Sequence, residues 1–178
     1  AEQYNTRKTV KQTQGGLVLD HQVDGRNALR VMLYYGQRDT TQYQSIRPEA
    51  QTLTTQAGGV IDLKRQYGGA DVRWTSELTL AGRALTVIGG FSYDTMQEDR
   101  KGYENFVGSG ASRQLGVKGA LRRDETNRVY NADPYAQASW NFADRWTLDA
   151  GLRYSTVRFD SDDHYITPGN ADDSGSAR

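Results

Sequence analysis

The sequence predicts an all-β chain of antiparallel, up-and-down strands that form part of a large transmembrane β-barrel. Three observations lead there. Apolar and polar residues alternate with period two in three separate hairpin units. Each unit is tied by a short turn at one end, whereas long polar stretches connect the units at the other. The composition is also too polar for an ordinary core: 36% of 178 residues are hydrophobic, mean hydropathy is -0.79, and 19 Gly and 11 Tyr stand against 4 Phe and 2 Met. Such a chain is either disordered or a β protein whose strands show two faces to two environments, and the alternation favours the second.

In the first unit Leu17, Leu19 and Val23 lead into Asp24-Gly25-Arg26-Asn27, and Leu29, Val31, Leu33 and Tyr35 leave it. His21 sits on the apolar face, with Val18 and Met32 on the other. In the second, Val72, Trp74, Leu78 and Leu80 run to a turn at Ala81-Gly82-Arg83, followed by Leu85, Val87, Phe91 and Tyr93; Ile88, Gly89 and Gly90 break the pattern. The third places Ala136, Ala138, Trp140 and Phe142 before Ala143-Asp144-Arg145, and Leu148, Ala150, Leu152 and Tyr154 after Trp146. A helix there would mix Asp149 and Arg153 into the apolar stripe and hold Gly151 mid-helix at a cost near ~1 kcal/mol. Asp-Gly and Ala-Gly suit primed hairpin turns, because Gly accepts positive φ.

The turns centre near residues 25, 82 and 144, with polar connections over about 37–70 and 94–134. Short turns on one side only, and long loops only on the other, are the habit of outer-membrane barrels rather than of soluble sandwiches. On this reading the apolar rows face lipid, Phe142 and Trp146 mark the periplasmic interface, and Tyr35, Tyr93 and Tyr154 form the outer girdle. A soluble sheet packing the same face on a core is the alternative.

Charge excludes some functions. The 22 basic and 22 acidic residues cancel, so no sequence-wide field draws the chain to nucleic acid. There is no Cys, which removes disulfides and thiolate chemistry. No apolar run reaches the roughly 18 residues of a spanning helix, whereas a barrel strand needs only about 9 to 11.

Two stretches, NRVYNADPYAQASWNFADRWTLDAGLRYSTVRFDSDDHYITPGNADDSGS and ALTVIGGFSYDTMQEDRKGYENFVG, resemble the barrel of TonB-dependent outer-membrane receptors, and the likeness extends over essentially the whole chain. The resemblance implies import of a ferric siderophore or similar scarce nutrient across the outer membrane of a Gram-negative bacterium. It implies contact with outer-membrane lipid and coupling to the TonB complex through parts of the receptor absent here. That family has a plug domain and a 22-strand barrel ending in an aromatic residue. About six strands are legible here, from a loop at Ala1 to a polar loop at Arg178. The expectation is therefore that residues 1–178 are a partial β-barrel segment, without the plug domain or the barrel ends.

No catalytic constellation emerges, and no enzyme, cofactor or resident metal is expected. His21 and His164 are the only histidines, and neither has a nucleophile motif beside it. The Gly-rich VGSGAS at 107–112 lacks the last glycine of a dinucleotide fingerprint, since position 113 is Arg, and reads as a loop tip. Asp160, Asp162 and His164 resemble the start of a calcium loop, as do Asn170, Asp172, Ser174 and Gly175, but the first lacks its Gly and Glu and the second runs past the chain. Both read as solvated turns.

Across 94–134, Arg100, Lys101, Arg113, Lys118, Arg122, Arg123 and Arg128 are matched by Asp94, Glu98, Asp99, Glu104, Asp124, Glu125 and Asp133, so no electrostatic funnel is expected there. Tyr43, Tyr67, Tyr103 and Phe106 are loop aromatics that suit loop packing or ligand contact. Arg30, Asp71, Arg73, Glu77, Asp149 and Arg153 are expected to face inward onto a wet lumen or, by the resemblance, a plug. Ligand-binding residues are not distinguishable. Two other functions share parts of the pattern: a soluble antiparallel β-sheet module, for example for carbohydrate, and a passive outer-membrane porin or autotransporter pore.

Overall fold

The computed structural model describes residues 2–178, so the expected loop at Ala1 itself lies outside the described residues. Ten strands follow in chain order: β1 (Arg7–Gln22), β2 (Asn27–Tyr43), β3 (Val60–Leu80), β4 (Arg83–Tyr103), β5 (Phe106–Val107), β6 (Gln114–Leu115), β7 (Leu121–Ala143), β8 (Trp146–Arg153), β9 (Thr156–Asp163) and β10 (Gly175–Ala177). One antiparallel sheet runs β1-β2-β3-β4-β7-β9-β10, with β8 also on β7, while β5 and β6 make a small hairpin of their own. The sheet is open, because β1 pairs only with β2 and β10 only with β9 among the described residues.

β8 and β9 hold one register against β7, with Arg153 opposite Tyr135 and Thr156 opposite Ala132, so together they form a sixth long strand. The break between them has a chemical cause. Tyr154 N–H donates to the Pro134 carbonyl at 3.0 Å, but proline has no N–H to return.

Cross-strand partners share a face, so the register sorts the side chains. Val31, Val72 and Phe91 lie in one row across β2, β3 and β4, as do Leu78, Leu85 and Trp140 across β3, β4 and β7. These rows form the outer face. Leu17, Trp146 and Leu152 are 67%, 68% and 73% exposed, while the only buried hydrophobic residues among those described are Tyr43 and Val60. A sheet with this much uncovered apolar surface and so little core is not built to stand in water.

The outer aromatics descend in steps. Tyr35 is level with Gly68, Thr95, Tyr130 and Arg158 through four successive strand pairings, and Tyr154 lies four residues below Arg158 on the last long strand. One residue per strand, at about 3.4 Å rise over about 4.8 Å spacing, is an inclination of roughly 35°, within the range of barrel strands. Tyr93 and Tyr130 sit within this belt with ring centroids 6.3 Å apart.

The connections expected over 37–70 and 94–134 are much shorter. β2 continues to Tyr43, β3 begins at Val60, β4 continues to Tyr103 and β7 begins at Leu121, leaving 44–59 and 104–120 as loops. Alternation ends at Tyr35 and Tyr93 because the outer face there turns polar: Gln37, Gln66 and Gln97 form one cross-strand row, and Asp39, Lys64 and Asp99 the next. The backbone ladder does not depend on what the side chains meet, so the strands persist with both faces wet.

The turns differ in kind. Ala81 and Gly82 both have positive φ, 51° and 75°, which is the primed geometry expected. Gly25 is not in that region. The first turn is held instead by Asp24, whose Oδ1 accepts the N–H groups of Arg26 at 2.7 Å and Asn27 at 2.8 Å. At the third, the register shifts between Trp140 and Ala143, and Asp144 reaches back to Arg83 of the neighbouring hairpin at 2.6 Å.

Gly90, a blemish in the sequence pattern, has a reason on the inner face. Tyr135 stands directly opposite it and lays its ring where a Cβ would go. The same arrangement pairs Tyr67 with Gly36 and Tyr34 with Gly69, where an added Cβ would meet the ring at 2.5 Å and 2.7 Å. Three tyrosines thereby cover bare backbone on neighbouring strands.

Candidate functional site

The inner wall and the outer loops hold the polar chemistry. Arg30, Asp71, Arg73, Glu77, Asp149 and Arg153 all fall on the inner face by register, as their alternation predicts. Arg30 pairs with Asp20 at 3.1 Å, and Arg153 pairs with Asp133 on β7. Asp71, Arg73, Tyr135, Gln137, Asp149 and Arg153 line an open groove low on this wall. The Tyr135 hydroxyl donates to Asp71 Oδ2 at 3.4 Å.

Each of the seven basic residues of 94–134 has an acidic partner. Arg100 and Arg123 share Glu125, Lys101 takes Asp124 at 2.8 Å, and Arg122 reaches Glu104 at 3.5 Å. Arg113, Lys118 and Arg128 find Glu49, Asp62 and Asp162, which lie outside that stretch. Neutrality expected from counting is therefore local pairing in space. Burial opposes ionisation of Asp62, but hydrogen bonds from Lys118 and Thr41 outweigh it and hold the carboxyl below its usual value. Burial likewise works against charge on Lys118, and Asp62 more than restores it. Asp124 raises Lys101 in the same way, chiefly through its hydrogen bond.

Three of the four singled-out aromatics carry a cation. Arg7 lies 3.7 Å from the Tyr43 ring centroid, Lys118 3.8 Å from that of Tyr103, and Arg113 5.2 Å from that of Phe106. Of the four only Phe106 lies within loop 104–120: Tyr43 and Tyr103 are the last residues of β2 and β4, and Tyr67 lies on β3, inside, with its hydroxyl between Gln12 Nε2 at 2.9 Å and Gln14 Oε1 at 2.8 Å.

The acidic clusters do not converge. Asp160 contacts Arg158 at 3.4 Å, Asp162 pairs with Arg128 at 2.6 Å, and His164 Nε2 is 3.3 Å from Thr126 Oγ1. In the second cluster Asn170 donates to the Tyr165 carbonyl at 2.7 Å and Asp172 accepts from the Ser174 N–H at 2.9 Å. Among the described residues no group of three or more His, Cys, Asp or Glu side chains is placed to hold a metal. His21 lies opposite Leu29 on the outer face. The stretch 107–112 is the tip of the β5–β6 hairpin, with positive φ at Gly108 and Gly110.

One feature of the loops escapes sequence reading. Asn105 and Gln51 are fully buried, and their side chains meet with Nε2 to Oδ1 at 2.8 Å. Asn105 Nδ2 donates to the carbonyls of Gln44 and Ile46, both at 2.9 Å, so loop 44–59 is pinned to loop 104–120. Thr54 adds a bond to the Gly169 carbonyl at 2.7 Å. No periodicity marks a single buried amide in a loop.

A second feature lies on the inner face just below these loops, where Lys8, Arg38, Thr40, Gln42, Arg65 and Arg100 line a cavity of about 250 Å³. Extending the alternation of β1 and β2 outward would have placed Lys8 and Arg38 there.

Comparison with known proteins follows the same lines. Residues 1–177 match the family described as TonB dependent receptor-like, beta-barrel. The chain is similar in structure to the ferric citrate transporter FecA in its unliganded form, at 15% identity and TM-score 0.72, over 96% of this chain and 24% of that one. It is similar to the siderophore receptor PiuA from Acinetobacter baumannii, at 13% and 0.72, over 97% and 29%. The ferric-catecholate import receptor Fiu from E. coli K12 gives 10% and 0.61, over 97% and 30%. The chain thus spans between about a quarter and three tenths of the length of these structures.

Proposed function

We propose, because the chain belongs to the TonB-dependent receptor-like β-barrel family, that it forms wall strands and external loops of an active transporter in the outer membrane of a Gram-negative bacterium. Members of this family are transporters rather than enzymes. The cargo is a ferric siderophore or a similar scarce, bulky chelate, and energy comes from the TonB complex through parts of the receptor other than these residues. The open sheet edges and the short span relative to solved receptors support a partial barrel segment.

The observation that carries this reading is the outer band: apolar rows ended by an inclined aromatic belt, with a polar wall behind. Hydrocarbon is the solvent that such a band suits, and a wet lumen or a plug suits the reverse side.

The test is uptake of radiolabelled ferric chelates by cells whose uptake depends on the receptor containing this chain. Accumulation should stop when TonB is deleted or the proton gradient is collapsed. Uptake indifferent to both would replace the active transporter with a passive pore.

A further inference from the structure

We infer that loops 44–59 and 104–120, with the connection 164–174 between β9 and β10, form one fixed roof that leans over the inner wall and stays shut during uptake, so that cargo passes beside it. The inference rests on the receptor reading above and adds which of its outer parts do not move.

Backbone lies directly on backbone at the roots of the roof. Gly102 follows Glu98 and Arg100 on the inner face, and a Cβ there would run into the Ala57 carbonyl, so loop 44–59 leans inward over β4. Gly58 holds φ of 83° and has the backbone of Tyr103 where its own Cβ would stand. Close approach of this kind is what glycine permits, and a loop seated so tightly cannot slide without parting from its neighbour.

Arg122 holds the tip. Only 14% of its side chain is exposed; it pairs with Glu104 at 3.5 Å and donates to the carbonyl of Leu53 and, at 3.4 Å, to that of Gln56. Residues 53–56 are also closed on themselves, by the Gln56 N–H on the Leu53 carbonyl at 3.1 Å. Beyond that point the Thr54 hydroxyl crosses to the Gly169 carbonyl at 2.7 Å. With the buried Gln51–Asn105 pair, loop 44–59 is thus tied at its root, its middle and its tip, and to two different connections. A lid is drawn from the least stable parts of a fold and needs a hinge that turns freely. Loop 44–59 has a glycine at its root, but that glycine is packed and not free.

The test is a clasp across the tip in the receptor containing this chain. A Cβ on Gly169 would stand 3.6 Å from that of Thr54, within disulfide reach. Cells carrying T54C/G169C are assayed for uptake of radiolabelled ferric citrate, ferric tris-catecholate and ferric tris-hydroxamate, oxidised and then reduced. We expect the oxidised receptor to import within about twofold of its reduced form, because nothing that moves has been joined. A loss of about tenfold or more on oxidation, restored by reduction, makes the roof a lid and overturns the inference, while the TonB dependence of wild-type uptake leaves the receptor reading standing. Where the φ of 86° at Gly169 keeps the disulfide from forming, spin labels at Thr52 and Asp172 of the purified receptor decide. One narrow distance distribution supports the roof, and two populations overturn it. Wild-type uptake of none of the three chelates, or uptake indifferent to TonB deletion, overturns both readings.

Discussion

The ring of Tyr67 lies across Gly36, its direct partner on the neighbouring strand, so closely that a Cβ on Gly36 would stand 2.5 Å from Cζ. The hydroxyl is then delivered to Gln12 and Gln14 on β1, one strand further on. One side chain thus ties three strands on the inner wall. G36A should force the ring away and cost roughly 1 to 3 kcal/mol, as overpacking does elsewhere. Thermal loss of heat-modifiable migration in the receptor should report a lower midpoint, and an unchanged midpoint would remove the tie.

Ala81 holds φ of 51° in a two-residue turn, a region costing an L-residue about 1 to 2 kcal/mol that Asn and Gly escape. A81N should therefore raise the unfolding midpoint. The same substitution at Arg145, which has no positive φ, serves as the control and should not.

Loops 44–59 and 104–120 are expected to resist protease in the wild-type receptor, because the Asn105–Gln51 pair is buried and satisfied. N105A removes the Asn105 donor from the Gln44 carbonyl and one of the three acceptors of the Gln51 amide, which keeps the carbonyls of Ile46 and Arg47, a loss of order 1 to 3 kcal/mol. Cleavage within both loops should appear together, with the barrel itself intact.

The Lys118–Asp62 contact gives a pH prediction with a definite sign. Asp62 is held below the ordinary aspartate value of 3.8, so its contribution is present above that value and is lost as pH falls through the lower folded value. Lys118 is raised above 10.5, so its share persists below that value and is lost only as pH rises through the higher folded one. Protection against hydrogen exchange over residues 116–120, taken relative to the intrinsic rate at each pH, should be flat across neutral pH and fall only in strong acid or strong base, whereas D62N should lower it at pH 7.

Spin labels at Leu19, Val87 and Leu152 should be quenched by oxygen dissolved in the bilayer, and labels at Arg30, Arg73 and Gln137 by aqueous nickel chelate. Exchange of the two patterns would invert the wall.

The three hairpins were legible because Leu19, Val31, Val72 and Leu152 sit on a face that must be apolar, and period two is visible wherever one solvent is greasy and the other is water. Residues 37–43 and 94–103 were not, since a strand wet on both sides leaves no periodicity and reads as a loop. Gly90 read as a flaw because its justification, Tyr135, lies 45 positions away in sequence and next to it in space. Arg38 and Lys8 were passed over for the same reason as the upper strands that carry them.

From Tyr35, where the belt begins, to the end of β2 at Tyr43, the ladder runs eight more residues. At about 3.4 Å each, less the inclination, that is a sleeve about 20 Å tall. In the membrane placement proposed, the transporter meets its cargo at the rim of a stiff chimney, well clear of the lipid headgroups. A cell-surface sugar coat shorter than that chimney leaves the entrance unobstructed.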